Sequence, residues 1–304
     1  MSSPATPPVL VPAQTTSAGT HPFGRPIKGP SALGSDPRRL LQLTWMLATT
    51  EFKLAFFGSA LGYLWQLMRP LLLFGVIYAV ISQVLGRFAS VPFYPVSLLL
   101  GIVLFNFFSE STGGAVASLI NRENLVRKIE FPRIAVPLST VLTALFNLTL
   151  NLVPVFIFLV AEGAPVRVSW LELPLLMLVL ACFTGGLAML LSVAYVRYRD
   201  VKPIWEVVLQ MTFYAAPIFY PITKVHHAHI LGVNVNLAHV LMSSPFVAVL
   251  QQARHAVIDP RHPSAASAIG GGAMILIPIG IALAIVVAGF LVFDRAAPRV
   301  AEQL

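Results

Sequence analysis

Six apolar stretches, at 67–86, 96–120, 134–160, 173–196, 203–220 and 271–293, dominate this sequence. A chain needs about 20 mostly apolar residues to cross the hydrocarbon core as a helix, and each stretch reaches that length or comes close. Inside lipid the backbone must satisfy its own N–H and C=O groups, which leaves helices or closed barrels. Continuous runs of this length specify helices. The expected fold is all-α: a polytopic membrane protein with six transmembrane helices. The fifth stretch is interrupted at its far end by Pro217 and Pro221 and is expected to end early. Composition agrees, because only 11% of the 304 residues are charged and 57% are hydrophobic. A soluble domain carries about a quarter charged residues, so lipid must be the solvent for most of this surface.

The formal net charge is +8, which in a soluble chain would suggest nucleic acid. Here the cations sit in short loops between apolar runs, where they set orientation instead. With the N-terminus inside, only Arg87, Arg167, Lys224, Arg254 and Arg261 of the 20 Lys and Arg fall outside. Both termini are therefore expected in the cytoplasm. The single cysteine, Cys182, lies within an apolar run, so neither an intrachain disulfide nor a thiolate metal cluster is possible. Residues 1–35 are rich in Pro, Ser and Thr and do not resemble a secretory signal. They read as a disordered cytoplasmic tail, leaving 36–304 as the membrane domain.

Three segments outside the spans stand out. Over 36–58, Arg38, Gln42, Thr49 and Lys53 fall near one helical face and Leu40, Leu43, Leu47, Leu54 and Phe57 near another. This pattern predicts an amphipathic interfacial helix along the inner leaflet; the alternative is a continuation of the first span. The loop 121–133 alternates charge with Leu125, Val126, Ile129 and Phe131, and Pro132 breaks one helix before the next. It reads either as a short amphipathic helix offered to a partner or as a solvated turn. In the outer region 222–270, the apolar runs 237–242 and 246–258 are too short to cross separately and predict re-entrant helices.

Missing motifs narrow the chemistry. There is no G-x-x-x-x-G-K-[ST] run, so any ATP that drives this chain binds elsewhere. The aspartates Asp36, Asp200, Asp259 and Asp294 are isolated, and no serine-hydrolase elbow or H-E-x-x-H motif is present. An enzyme is not expected. Glu110 is the one carboxylate well inside a span, and Asn106 and Gly114 share its face. An intramembrane acid is a functional candidate by default, as a proton site or as a hydrogen-bonding group on a helix contact. Thr140, Thr143, Asn147 and Asn151 form a second polar stripe at helical spacing. Such stripes either line a hydrated path or bond one helix to another. Of the outer histidines His226, His227, His229, His239, His255 and His262, the first two are adjacent and would point apart on a helix, with no acidic residue beside them. No resident cofactor or metal is expected.

Four runs carry a resemblance to a known family. They are Leu61-Gly62-Tyr63-Leu64-Trp65 with Arg69-Pro70-Leu71; Asn124-Leu125-Val126-Arg127-Lys128-Ile129-Glu130-Phe131-Pro132-Arg133; Arg197-Tyr198-Arg199-Asp200-Val201 leading to Ala216-Pro217-Ile218-Phe219-Tyr220-Pro221; and Ser244-Pro245-Phe246 with Gln251-Gln252-Ala253-Arg254. In this order and spacing the chain, from about residue 38 to its end, resembles the membrane (permease) subunit of ABC exporters for O-antigen, teichoic-acid and related polysaccharides.

The resemblance implies a multi-pass protein of the bacterial cytoplasmic membrane, working as a homodimer with two copies of a separate ABC ATPase that binds ATP and Mg. It assigns ATPase coupling to Asn121, Arg122, Glu123, Asn124, Leu125, Val126, Arg127, Lys128, Ile129, Glu130, Phe131 and Arg133. The implied cargo is a polyprenyl-pyrophosphate-linked glycan of O-antigen, galactan or teichoic-acid type. Arg39, Lys53 and Arg69 then become candidates for the substrate entrance, with membrane anchoring as their ordinary alternative. Asn106, Glu110, Asn147, Asn151, Phe213 and Tyr214 become candidates for the path lining. The rival readings are an ABC exporter of small drugs or lipids and an ion-coupled carrier built on Glu110.

Overall fold

The computed structural model describes residues 37–56, 62–86, 91–123, 132–225, 227–230 and 233–303. The tail 1–35 and the coupling residues Asn124 to Phe131 lie outside the described residues. Apart from one short hairpin, the described chain is helical.

Helix α1 (Pro37–Phe56) lies against a long span rather than forming one. Thr44 and Ala48 are buried, with Leu40, Leu47 and Glu51 half-buried on the same side, while Arg39, Trp45 and Lys53 are exposed. That is the three-to-four spacing of an amphipathic helix. Leu54, assigned to the apolar face from the sequence, is instead 65% exposed.

Helix α2 (Gly62–Tyr78) carries Pro70 and runs into a π-helical turn, Ala79–Val84. Helix α3 (Tyr94–Val116) starts after Phe93, whose φ of 54° turns the chain sharply, and Pro95 opens its first turn. It is the central helix: apolar nearly all round and buried along most of its length. After a break at Ala117, α4 (Ser118–Asn121) leads into the 121–133 loop. Then come α5 (Ala135–Ala161), α6 (Glu172–Arg197) and α7 (Val201–Ala215). Helix α3 packs on α2, α5, α6 and α7, and α1 packs on α5.

Beyond α7, the hairpin strands β1 (His227–Ile230) and β2 (Val233–Asn236) pair antiparallel, an element the helical reading did not include. They precede α8 (Leu237–Met242), α9 (Pro245–Ala253) with its π-helical continuation Arg254–Ile258, and α10 (Ala265–Ala268). Helices α8 and α9 occupy the runs assigned to re-entrant helices. The last helix is α11 (Leu276–Gln303).

Among the described residues, five helices are long and apolar enough to cross a membrane: Leu64–Ser82, Tyr94–Val116, Ala135–Ala161, Val168–Arg197 and Leu276–Ala296. The fifth expected crossing, 203–220, is shortened. Its helix α7 has 15 residues, about 22 Å of rise against a hydrocarbon core of about 30 Å. Pro217 forces the residue before it out of the helical region, and Ala216 is extended at φ −66° and ψ 146°.

Helices α6 and α11 meet without an intervening side-chain layer. A Cβ added to Gly186 would lie 2.8 Å from Val286 Cα and 2.9 Å from its N. Gly280, also on α11, would meet nothing within 4 Å. Gly186→Val is therefore expected to cost about 2 kcal/mol by forcing two backbones apart. Thermal unfolding in detergent should show it, with Gly280→Val unchanged; equal melting temperatures for the two variants would refute the contact.

Candidate functional site

Call the end of the bundle bearing the 121–133 loop the loop end. There α1 is joined to the start of that loop by an ion pair between Glu51 and Arg122. Arg122 Nη1 also donates to Ser139 Oγ of α5 at 2.8 Å. The Thr143 hydroxyl lies 2.9 Å from Ser139 O and 3.3 Å from both Ala48 O and Glu51 Oε2, so its single proton has acceptors on both helices. The arginine side chain is 15% exposed and the glutamate 38%. This pair is thus partly withdrawn from water, where the attraction is screened less than on an open surface. Aromatic edges reinforce the seam: Trp45 and Phe52 lie 5.3 Å and 5.6 Å from Phe146. The sequence pointed to Arg122 but missed Glu51, because the pair spans distant segments.

A second polar cluster joins α2, α3 and α5. Gln66 Nε2 donates to Glu110 Oε1 at 3.2 Å and Asn147 Nδ2 to Glu110 Oε2 at 3.0 Å. Glu110 stands six residues before the end of α3, about 9 Å along the helix and so at membrane depth. Even so, it is exposed on the surface of the single chain. Asn147 Oδ1, and Asn151 Oδ1 one turn further along, are buried with no hydrogen-bond partner among the described residues. Asn106, one turn before Glu110, is half-buried. The structure thus brings Glu110 and Asn147 into one network and adds Gln66, which sequence reasoning had not singled out.

The other candidates separate. Phe213 packs in an aromatic cluster, 4.8 Å from both Phe105 and Phe219, whereas Tyr214 is 64% exposed on α7. Arg39, Lys53 and Arg69 are all exposed. Of the coupling segment, Asn121 is exposed and Arg133 is buried.

A third feature lies at the opposite end. Arg254, read from the sequence as an outer-loop cation, is only 3% exposed. Its Nη1 donates to Pro217 O at 2.6 Å, and its Nη2 to Ile218 O at 2.9 Å and Ser97 O at 3.2 Å. Pro217 and Ile218 follow the end of α7 and Ser97 lies in the first turn of α3, so the guanidinium satisfies two loop carbonyls and ties the end of α7 to α3. Gly101 makes room, since a Cβ there would sit 3.3 Å from Arg254 Nη2. Burial, and then the charge of Arg254, pulls the nearby His262 imidazole down to about 4, so it is neutral at physiological pH. A charged residue within the apolar run 246–258 was the available signal.

Long apolar helices with large outward faces (Leu72, Ile157, Leu178 and Leu283 are all exposed) define a multi-pass membrane protein. The chain belongs to the ABC-2 type transporter family, whose family model matches residues 42–244. It is 30% identical over 179 residues to the O-antigen export system permease protein RfbA of Myxococcus xanthus, covering 59% of this chain and 68% of the relative. The protein of the same name from Klebsiella pneumoniae is 29% identical over 60% of this chain and 70% of its own length. The polysialic acid transport protein KpsM of Escherichia coli is 24% identical over 68% of this chain and 78% of its own. The family is one of permease subunits, and membership implies association with an ABC ATPase.

Proposed function

We propose that this chain is the permease subunit of an ATP-driven exporter that carries a lipid-linked polysaccharide across the bacterial cytoplasmic membrane. What carries the reading is that relatives from three organisms are named for export or transport of O-antigen and polysialic acid, all long glycans. The chain lacks a phosphate-cradling motif of its own. ATP and Mg then belong to two copies of a separate ATPase, and hydrolysis takes place there. The domain 36–304 stands with its termini in the cytoplasm, the tail 1–35 included, and the ATPase pushes on 121–133. The Glu51–Arg122 pair hands that push to α1 at the substrate entrance, where Arg39, Lys53 and Arg69 attract a pyrophosphate.

Two copies of the chain enclose the path. The exposed carboxylate of Glu110 supports this, because a charge facing lipid is costly and one facing a hydrated dimer interior is not. Asn106, Asn147, Asn151, Phe213 and Tyr214 then stand along the lining, with Tyr214 the most open of them.

The test is ATP-dependent movement of polyprenyl-linked glycan in vesicles holding this chain and its ATPase. Export of hydrophobic drugs with no glycan moved, or transport that survives ATP depletion and follows the proton gradient, would overturn the reading. Reversing Arg127 and Lys128 to glutamate is expected to weaken ATPase association about tenfold in copurification, with membrane insertion intact. Unchanged association would remove 121–133 as the docking segment.

A further inference from the structure

Two loops border a cavity of about 300 Å³ at the end of the bundle opposite the 121–133 loop. One contains the turn Ile222–Lys224, beyond the broken end of α7, and the other follows Ile258 and carries Asp259, Arg261 and His262. Tyr94 and Tyr220 also line it, and their hydroxyls are already engaged, donating to Phe219 O and Ala215 O.

The charges of this lining do not balance. It holds three cations, Lys224, Arg254 and Arg261, against one carboxylate, Asp259. His262 adds nothing at physiological pH, because burial and the charge of Arg254 hold its imidazole at about 4. Asp259 is 2% exposed and is spent on Arg261. Its Oδ1 accepts from Arg261 N at 2.8 Å, and its Oδ2, shut away from the surface, stands 3.4 Å from Arg261 Nε. One carboxylate cancels one cation, which leaves two positive charges in excess.

Arg254 is the buried one of the three. At 3% exposed, with both Nη atoms on backbone carbonyls, it gives the cavity its field and no contact. Burial pulls it down to about 10, so it keeps its charge at neutral pH. It makes no ion pair with a carboxylate among the described residues. A buried charge without a counter-charge is costly, and low-dielectric walls carry its field into the cavity.

Contacts come from the two loops. Lys224 is exposed and has no hydrogen bond or ion pair among the described residues. Arg261 is 79% exposed and meets Asp259 only through Nε and its backbone N, so its Nη atoms are unengaged. A metal ion is repelled by this set, and a neutral ligand leaves the excess charge unmatched. An oxyanion answers both the charge and the donors. Phosphate has oxygens on several sides and can take the ammonium of one loop and the guanidinium fork of the other together.

We propose that this cavity binds a phosphate group, gripped by Lys224 from one loop and Arg261 from the other, in the field of Arg254. Two sources share that chemistry. One is the headgroup of an anionic phospholipid in the nearer leaflet, since Tyr94 is the first residue of a crossing helix. The other is a soluble phosphate ester. Either one ties the loop beyond α7 to the loop beyond α9, whatever cargo the protein moves.

The test uses the full-length permease, freed of phospholipid in dodecyl maltoside and titrated at neutral pH with inorganic phosphate and methyl phosphate by calorimetry. Native mass spectrometry in parallel follows retention of added phosphatidylglycerol against phosphatidylcholine. Lys224→Gln is expected to weaken phosphate binding about tenfold, the usual size for losing a hydrogen bond between charged groups. Arg261→Gln should cost more, because it also leaves Asp259 uncancelled. Thr223→Glu sets a carboxylate on the cavity wall and should abolish binding. All three positions are exposed, so the fold should survive. Arg197→Gln, which removes an exposed cation at the loop end, should bind as the wild type does. Phosphatidylglycerol lost from the same cavity variants assigns the headgroup, with or without measurable binding of inorganic phosphate. Phosphate binding that follows the variants while phosphatidylglycerol retention does not assigns the soluble ester. The site is overturned if neither probe responds to the cavity variants, or if Arg197→Gln weakens binding as much as they do.

Discussion

Arg122→Ala is expected to slow ATP-driven export about tenfold, within the usual range for a coupling free energy between sites, while the protein still inserts and still binds its ATPase. Arg122 opens the loop after the central helix and grips α1 through Glu51 and α5 through Ser139. Without it, a push on the loop no longer reaches the interfacial helix. Glu51→Ala should produce a similar loss, the double variant should be no worse than either single one, and the exchange Glu51→Arg with Arg122→Glu should recover part of the rate. Losses that simply multiply in the double variant would show that the two residues act independently. ATP hydrolysis gives the decisive readout: uncoupling leaves turnover running without transport, whereas poor assembly lowers both.

The second large effect is expected at Glu110. Glu110→Leu removes the acceptor of both the Gln66 and the Asn147 amide, at about 1 kcal/mol for each exposed hydrogen bond lost. Export should fall more than about tenfold, with a lower melting temperature. Glu110→Gln keeps the shape and one acceptor oxygen, and it should retain most of the transport. An ion-coupled carrier predicts the opposite for that variant, because an amide takes up no proton at neutral pH. Transport abolished by Glu110→Gln at unchanged stability would therefore favour ion coupling over the polar-lining role.

The spans were legible because lipid imposes a length and a polarity that any apolar run displays. The early end of α7 was legible for a local reason, as Pro217 acts on its own neighbour. The amphipathic pattern over 36–58 showed a helix and its half-buried Leu40, Leu43 and Leu47, but not the buried Thr44 and Ala48, nor Glu51 as the residue that matters. A carboxylate on a half-buried face looks like any other until its partner, far along the chain, is brought opposite. Gln66 escaped for the same reason. The burial of Arg254 did not show in the sequence because loop charge is read by counting, whereas its place depends on the backbone carbonyls of Pro217 and Ile218. The β1–β2 hairpin left no period-2 signal strong enough to stand against the surrounding helical runs.

The glycine contact between α6 and α11 has a mechanical consequence. With main chain resting on main chain at Gly186 and Val286, neither helix can roll on its neighbour without a collision. The two behave as a single strut, and whatever swings during a transport cycle has to be sought among the elements on the other side of the central helix.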